Sequence, residues 1–201
     1  MKLLLTSAGV RNKKLADFFI SILSKKPKDC SALMVVYAQN DQEKFYIDES
    51  KKELAELGVG DVDVFNLGEN EFADSKSYDV IYVCGGNTFS ILDRMRKTGI
   101  QKFIKDAVNN NQSLYLGVSA GSIIAGPNIE IAGWGSEGDK NEVDLKDLGG
   151  FGFTDISIFP HFKPILKQEV EGFREKVDYP VIEITDGEAV FIQDGKYELI
   201  R

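Results

Sequence analysis

Residues Gly117-Val118-Ser119-Ala120-Gly121 spell G-x-S-x-G. An apolar run, Ser113-Leu114-Tyr115-Leu116, leads into them, and a small-residue, helix-compatible run, Ser122-Ile123-Ile124-Ala125, follows. Strand, sharp turn and helix form the context that a nucleophile elbow requires. The turn crowds its neighbours, so the positions flanking the serine must lack bulk, which glycine supplies. The helix that begins there aims free backbone N–H groups and a positive dipole end at the serine. The stretch therefore proposes Ser119 as a nucleophile at a strand end. A chance match on a Gly-rich turn is the bland alternative, and the flanking runs favour the elbow.

Working outward, residues 2–6, 32–37, 62–67, 80–84 and 113–118 read as strands. Helical patterns fill the gaps. Residues 12–23 place Leu15, Phe18, Phe19, Ile22 and Leu23 on one face. Residues 42–57 are amphipathic and closed by Gly58, and residues 89–96 and 100–108 are helical. Strands alternating with helices imply an α/β fold with a mainly parallel sheet covered on both faces. Beyond the elbow the pattern loosens. Residues 128–132 suit a short strand, and 133–152, rich in glycine and acids, suit a long surface loop or mobile flap. A strand at 156–159 leads to Pro160-His161, residues 165–177 are helical, and 181–185 form a strand. Residues 189–192 and 197–200 flank Asp194-Gly195, a β-hairpin signal. With no repeat or linker, residues 1–201 read as one domain.

Composition excludes some functions. The chain has 201 residues, 43% of them hydrophobic, enough for a sizeable core. A net charge of −8 repels phosphate backbones, which argues against a nucleic-acid partner. No apolar run reaches membrane-spanning length. The apolar start stops at Thr6-Ser7-Ala8-Gly9, so it reads as a strand rather than a signal segment. Cys30 and Cys84 are far apart, without metal-ligand spacing, which fits a reducing, cytoplasmic setting.

A serine hydroxyl needs an adjacent base, and the base needs a group that fixes its tautomer. His161 is the one histidine in the chain. It follows a strand, and strand ends of open parallel sheets are where reacting groups gather. Asp186, after another strand, is the candidate third group, with Glu188 as its competitor. The order Ser, His, Asp differs from that of α/β-hydrolases. A developing oxyanion needs donors, which the N–H of Ala120 and the Gly85-Gly86 turn can supply. Asn87 or Thr88 can cap the next helix, and Gly-Gly-Asn can equally cradle a phosphate. Cys84 reads as a buried strand-end thiol.

Gly85-Gly86-Asn87-Thr88-Phe89, Gly117-Val118-Ser119-Ala120-Gly121 and Pro160-His161-Phe162 together resemble the peptidase E family of serine peptidases. That family includes aspartyl dipeptidases and, more distantly, cyanophycinases. The resemblance implies a flavodoxin-like three-layer sandwich related to class I glutamine amidotransferases. It implies Ser119 as nucleophile, His161 as base and Asp186 as the acid, where members often carry Glu. It implies hydrolysis of small peptides through an acyl-enzyme, with no metal or organic cofactor, and with Gly86 and Ala120 as oxyanion donors. Gly85 and Asn87 then border the substrate. An acidic substrate side chain calls for a cation, for which Lys163, Lys167 and Arg174 are candidates; a solvated helix charge is the alternative for each. The segment after His161 and the flap differ from the aspartyl dipeptidase pattern. Two other readings stay open: a binding or regulatory protein on the same scaffold, and an amide or ester hydrolase of a non-peptide metabolite. The sequence does not give the oligomeric state.

Overall fold

The strands alternate two buried faces. In the computed structural model, which describes residues 1–38, 41–68, 72–73 and 76–201 (without the side chains of 41–43 and 46), β1 spans Lys2–Thr6. Its Leu3 and Leu5 join one apolar cluster and Leu4 the opposite one. Successive side chains of a strand point to opposite faces, so a strand buried on both sides must be apolar throughout. Each of these fully buried leucines contributes roughly 1.5–3 kcal/mol. The same division holds in β2 (Ser31–Val36), β4 (Val80–Val83) and β5 (Leu114–Val118). β3 (Asp61–Asn66) lies at one edge and is only half-buried.

Helices cover both faces. α1 (Lys13–Ile22) and α2 (Asp41–Glu56) pack Leu15, Phe19 and Leu54 on one side. α3 (Thr88–Lys97), α4 (Ile100–Asn109) and α5 (Ala120–Ile124) pack on the other. The capping signals operate as the sequence implies. Asn12 Oδ1 accepts the Leu15 N–H at 2.9 Å at the start of α1. Gly58, at φ +80°, ends α2, with the Val59 N–H on the Leu54 carbonyl.

The sheet runs β3-β2-β4-β5-β1-β8-β9. β8 (Ala189–Gln193) and β9 (Lys196–Ile200) are the expected C-terminal hairpin, added antiparallel to β1. The other pairs in this sheet are parallel. The sequence does not separate the last two parallel strands from this sheet, but the structure does. β6 (Ser157–Phe159) and β7 (Val181–Glu183) form their own two-stranded parallel sheet.

Two expectations are corrected. Residues 128–132 are not a strand. Asn128 Oδ1 accepts the Glu130 N–H at 3.0 Å, an Asx turn that starts a 3-10 turn at Glu130–Gly133. The helix expected at 165–177 begins as a 3-10 turn at Pro164–Leu166 and continues as α6, Lys167–Arg174. Among the described residues no helix is long and apolar enough to cross a membrane.

Candidate active site

Five strands bring their carboxyl ends to one place. Ser7 follows β1, Gly85 follows β4, Ser119 follows β5, His161 follows β6 and Asp186 follows β7. Ser119 sits at φ +51°, ψ −109°, a conformation costing about 1–3 kcal/mol for a residue with a side chain. The turn around it is closely packed. A Cβ on Gly117 would lie 2.8 Å from the Gly121 backbone, and one on Gly121 would lie 2.3 Å from the Val83 carbonyl oxygen. The Ser119 N–H donates to the Thr6 carbonyl at 3.0 Å, and Ser122 Oγ donates to the same carbonyl at 2.7 Å. The elbow is thereby fastened to β1.

His161 also has a left-handed backbone, φ +54°. Its Nε2 lies 2.9 Å from Ser119 Oγ, and its Nδ1 lies 2.7 Å from Asp186 Oδ1. The three side chains thus form one hydrogen-bonded line. Burial pushes the Asp186 carboxyl up. Hydrogen bonds from Ser7 and His161, with the His161 and Lys163 charges, outweigh it and hold the group below its ordinary value. Glu188 turns away: its Oε2 accepts the Thr185 N–H at 2.9 Å and its Oε1 lies 3.0 Å from Arg201.

Ser7 is the residue that sequence reasoning missed. It is fully buried, with Oγ 2.7 Å from Asp186 Oδ1, 2.7 Å from the His161 backbone nitrogen and 3.2 Å from His161 Nδ1. Its position after a strand in the Thr-Ser-Ala-Gly run was the available signal, shared by many strand ends.

Peptidase family S51 matches residues 3–200. The chain belongs to peptidase family S51. An uncharacterized peptidase of Listeria monocytogenes is 34% identical over 158 residues, covering 74% of this chain and 75% of that protein. Peptidase E of Salmonella typhimurium is 32% identical over 130 residues, which are 63% of this chain and 52% of that enzyme. A crystal structure of a Listeria monocytogenes protein assigned as peptidase E aligns with TM-score 0.81 and 26% identity, over 100% of this chain and 98% of that one.

Two cavities meet at Ser119 and His161 in this S51 peptidase. One, about 320 Å³, is lined by Trp134, Glu137, Asp139, Phe159, Lys163 and Glu169 among others. The other, about 700 Å³, is lined by Arg11, Tyr37, Ile47, Val118, Glu142 and Val143 among others. Gly86, at φ +139°, borders both. Among the described residues, neither the Gly86 nor the Ala120 N–H has a backbone or side-chain acceptor. A Cβ on Gly85 would lie 3.2 Å from Ser119 Cβ, so that glycine permits the approach of β4 to the elbow. Burial raises the Cys84 thiol to about 12, so it stays protonated near neutral pH beside the larger cavity.

The remaining sequence candidates divide. Asn87 borders the larger cavity, yet its side chain caps α3 through the Ser90 N–H and donates to the Lys140 carbonyl. Lys163 lines the smaller cavity, paired with Glu137 at 3.0 Å. Lys167 lines neither cavity. Arg174 is not brought to the site. It donates to the Val181 carbonyl, pairs with Glu171 and Glu183, and lines neither cavity. A sequence gives an arginine its charge but not its neighbours, and α6 packs against β7.

The 133–152 flap is fastened rather than free. Asp139 accepts the Thr88 N–H at 2.8 Å and the Thr88 hydroxyl at 2.7 Å. Trp134 Nε1 donates to the Glu169 carbonyl at 2.6 Å, and Arg96 donates to the Asp147 and Gly149 carbonyls. Phe151 is buried against Tyr115 and Phe153. Among the described residues no cluster of histidine, cysteine and carboxylate groups is arranged to hold a metal ion.

Proposed function

We propose that this S51 peptidase is a serine-type hydrolase of small peptides that works through an acyl-enzyme on Ser119. The observation that carries the reading is the hydrogen-bonded line Ser119–His161–Asp186, with spacings of 2.9 and 2.7 Å. His161 Nε2 takes the Ser119 proton as Oγ attacks the scissile carbonyl. Asp186 holds Nδ1–H and stabilises the imidazolium that forms. The Gly86 and Ala120 N–H groups receive the oxyanion. His161 then protonates the leaving amine, and water hydrolyses the ester by the reverse sequence.

The two cavities supply room on either side of the bond. Glu137, Asp139 and Glu169 line the smaller one, which suits a substrate's free α-amino group, while Lys163 suits an acidic side chain beside it. The larger one offers Tyr37, Ile47 and Val143 to the leaving residue. The fastened flap walls the smaller cavity with Trp134 and restricts the site to short peptides. Two free, buried cysteines fit a reducing, cytoplasmic setting.

A dipeptide panel varied at both positions tests this reading. The wild-type protein is expected to release amino acids from a subset, and Ser119→Ala from none. An inert wild type, or a Ser119→Ala variant within tenfold of it, contradicts the proposal.

A further inference from the structure

We infer that Ser7 is a positioning residue: its buried hydroxyl joins the two halves of the site and holds His161 in the tautomer that can accept the Ser119 proton. The inference rests on the reading of Ser119, His161 and Asp186 as a catalytic line.

The nucleophile and its partners stand on different sheets. Ser119 ends a strand of the seven-stranded sheet, whereas His161 and Asp186 follow the two strands of the small one. The end of β1 touches both. The Thr6 carbonyl receives the Ser119 N–H, and Ser7, the next residue, reaches His161 and Asp186. The side chains of His161 and Asp186 are 46% and 66% exposed, respectively. Ser7 is 0% exposed, which makes it the fixed point of the group.

Proton counting then sets the tautomer. A serine hydroxyl has one proton and two acceptor lone pairs. The His161 backbone N–H donates into one lone pair at 2.7 Å. Asp186, ionised near neutral pH, can only accept, so the Ser7 proton points to its Oδ1 at 2.7 Å. His161 Nδ1 then faces a carboxylate at 2.7 Å and a hydroxyl oxygen at 3.2 Å whose proton is committed elsewhere. Neither can donate to it, so Nδ1 carries the ring proton. The lone pair of the neutral ring is left on Nε2, facing Ser119. The same hydroxyl fastens the strained His161 backbone, since its N–H has Ser7 Oγ as acceptor.

His161 is the sole histidine, so imidazole ¹⁵N resonances report its tautomer without overlap. The experiment compares wild type, Ser7→Ala, and the isosteric pair Ser7→Thr and Ser7→Val, above the pH at which the ring is protonated. Wild type and Ser7→Thr are expected to show Nδ1–H with unprotonated Nε2. Ser7→Ala and Ser7→Val, which release both Asp186 Oδ1 and the His161 backbone N–H from the Ser7 hydroxyl, are expected to gain the Nε2–H form. In these two, kcat/KM on Asp-Leu is expected to fall about tenfold to hundredfold, mainly in kcat, as for other residues that orient a functional histidine. Ser7→Thr and Ser7→Val carry the same packing strain, so equal behaviour in the two overturns the inference. So does a Ser7→Ala protein with the wild-type tautomer and a rate within twofold. The tautomer is read without turnover, so failure of the peptidase reading and failure of this one are separable.

Discussion

Asp186 and Glu188 stand two residues apart and hold opposite kinds of partner. Asp186 Oδ1 lies 2.7 Å from His161 Nδ1, whereas Glu188 accepts the Thr185 N–H and pairs with Arg201. The Gly187 turn between them breaks the strand alternation that would have placed both on one face. Asp186→Asn is expected to lower kcat by about 10⁴-fold, because an amide favours the wrong imidazole tautomer. Glu188→Gln is expected to leave it within about threefold, since its partners are structural. Steady-state kinetics on one dipeptide decides the ranking, and the reverse order contradicts the assignment.

Glu53 gives a pH signature of stability. Its carboxylate is buried beneath the β1–α1 turn, and it accepts the Val10 N–H at 2.9 Å. Burial raises its pKa above the ordinary 4.5, against the Val10 N–H, Arg11 and Tyr82, which lower it. A raised folded value means a stabilising contribution that is complete below the unfolded value and lost as pH rises through the folded one. Glu53→Gln keeps the size and the acceptor for Val10. The Tm of wild type minus that of Glu53→Gln is therefore expected to fall as pH rises from about 4 to about 8. A flat or rising difference contradicts the burial argument.

Gly121 tests the packing of the elbow. Helix propensity alone makes Gly→Ala stabilising. Here the added methyl would meet the Val83 carbonyl oxygen at 2.3 Å, and neither backbone segment is free to yield. Gly121→Ala is expected to destabilise the protein by about 1–3 kcal/mol in denaturant melts. A neutral or stabilising result would mean that β4 and α5 are less closely packed than described.

Lys163 tests how the smaller cavity selects its ligand. Its ion pair with Glu137 is more than half exposed on both sides, so Lys163→Met is expected to change stability by less than about 1 kcal/mol. The ratio of kcat/KM for Asp-Leu over Ala-Leu is expected to fall at least about fivefold, the share of one surface-accessible charge pairing with the substrate. An unchanged ratio removes Lys163 from substrate recognition.

The sequence was legible where short-range sterics or periodicity decide the structure. The elbow glycines, the apolar strands and the Asp194-Gly195 hairpin announced themselves because each is a local requirement. The placement of His161 beside Ser119 was legible because no other imidazole exists. Ser7 was not, since its meaning comes from contacts 154 and 179 residues away. Nor could the short runs at 157–159 and 181–183 reveal that they pair with each other in a sheet of their own. The 133–152 stretch looked unanchored because its fastenings are carbonyls and caps, such as Asp139 on Thr88, that leave no hydrophobic period.

We propose Ser119 as a nucleophile activated by His161. Intact-mass analysis after reaction with a fluorophosphonate probe tests it most directly, because the probe requires an activated serine and no knowledge of the substrate. One adduct per chain, mapped to Ser119, is expected in wild type. It is expected to be absent from Ser119→Ala and strongly slowed in His161→Gln. No adduct in wild type, an adduct on another serine, or undiminished labelling in His161→Gln would contradict the account.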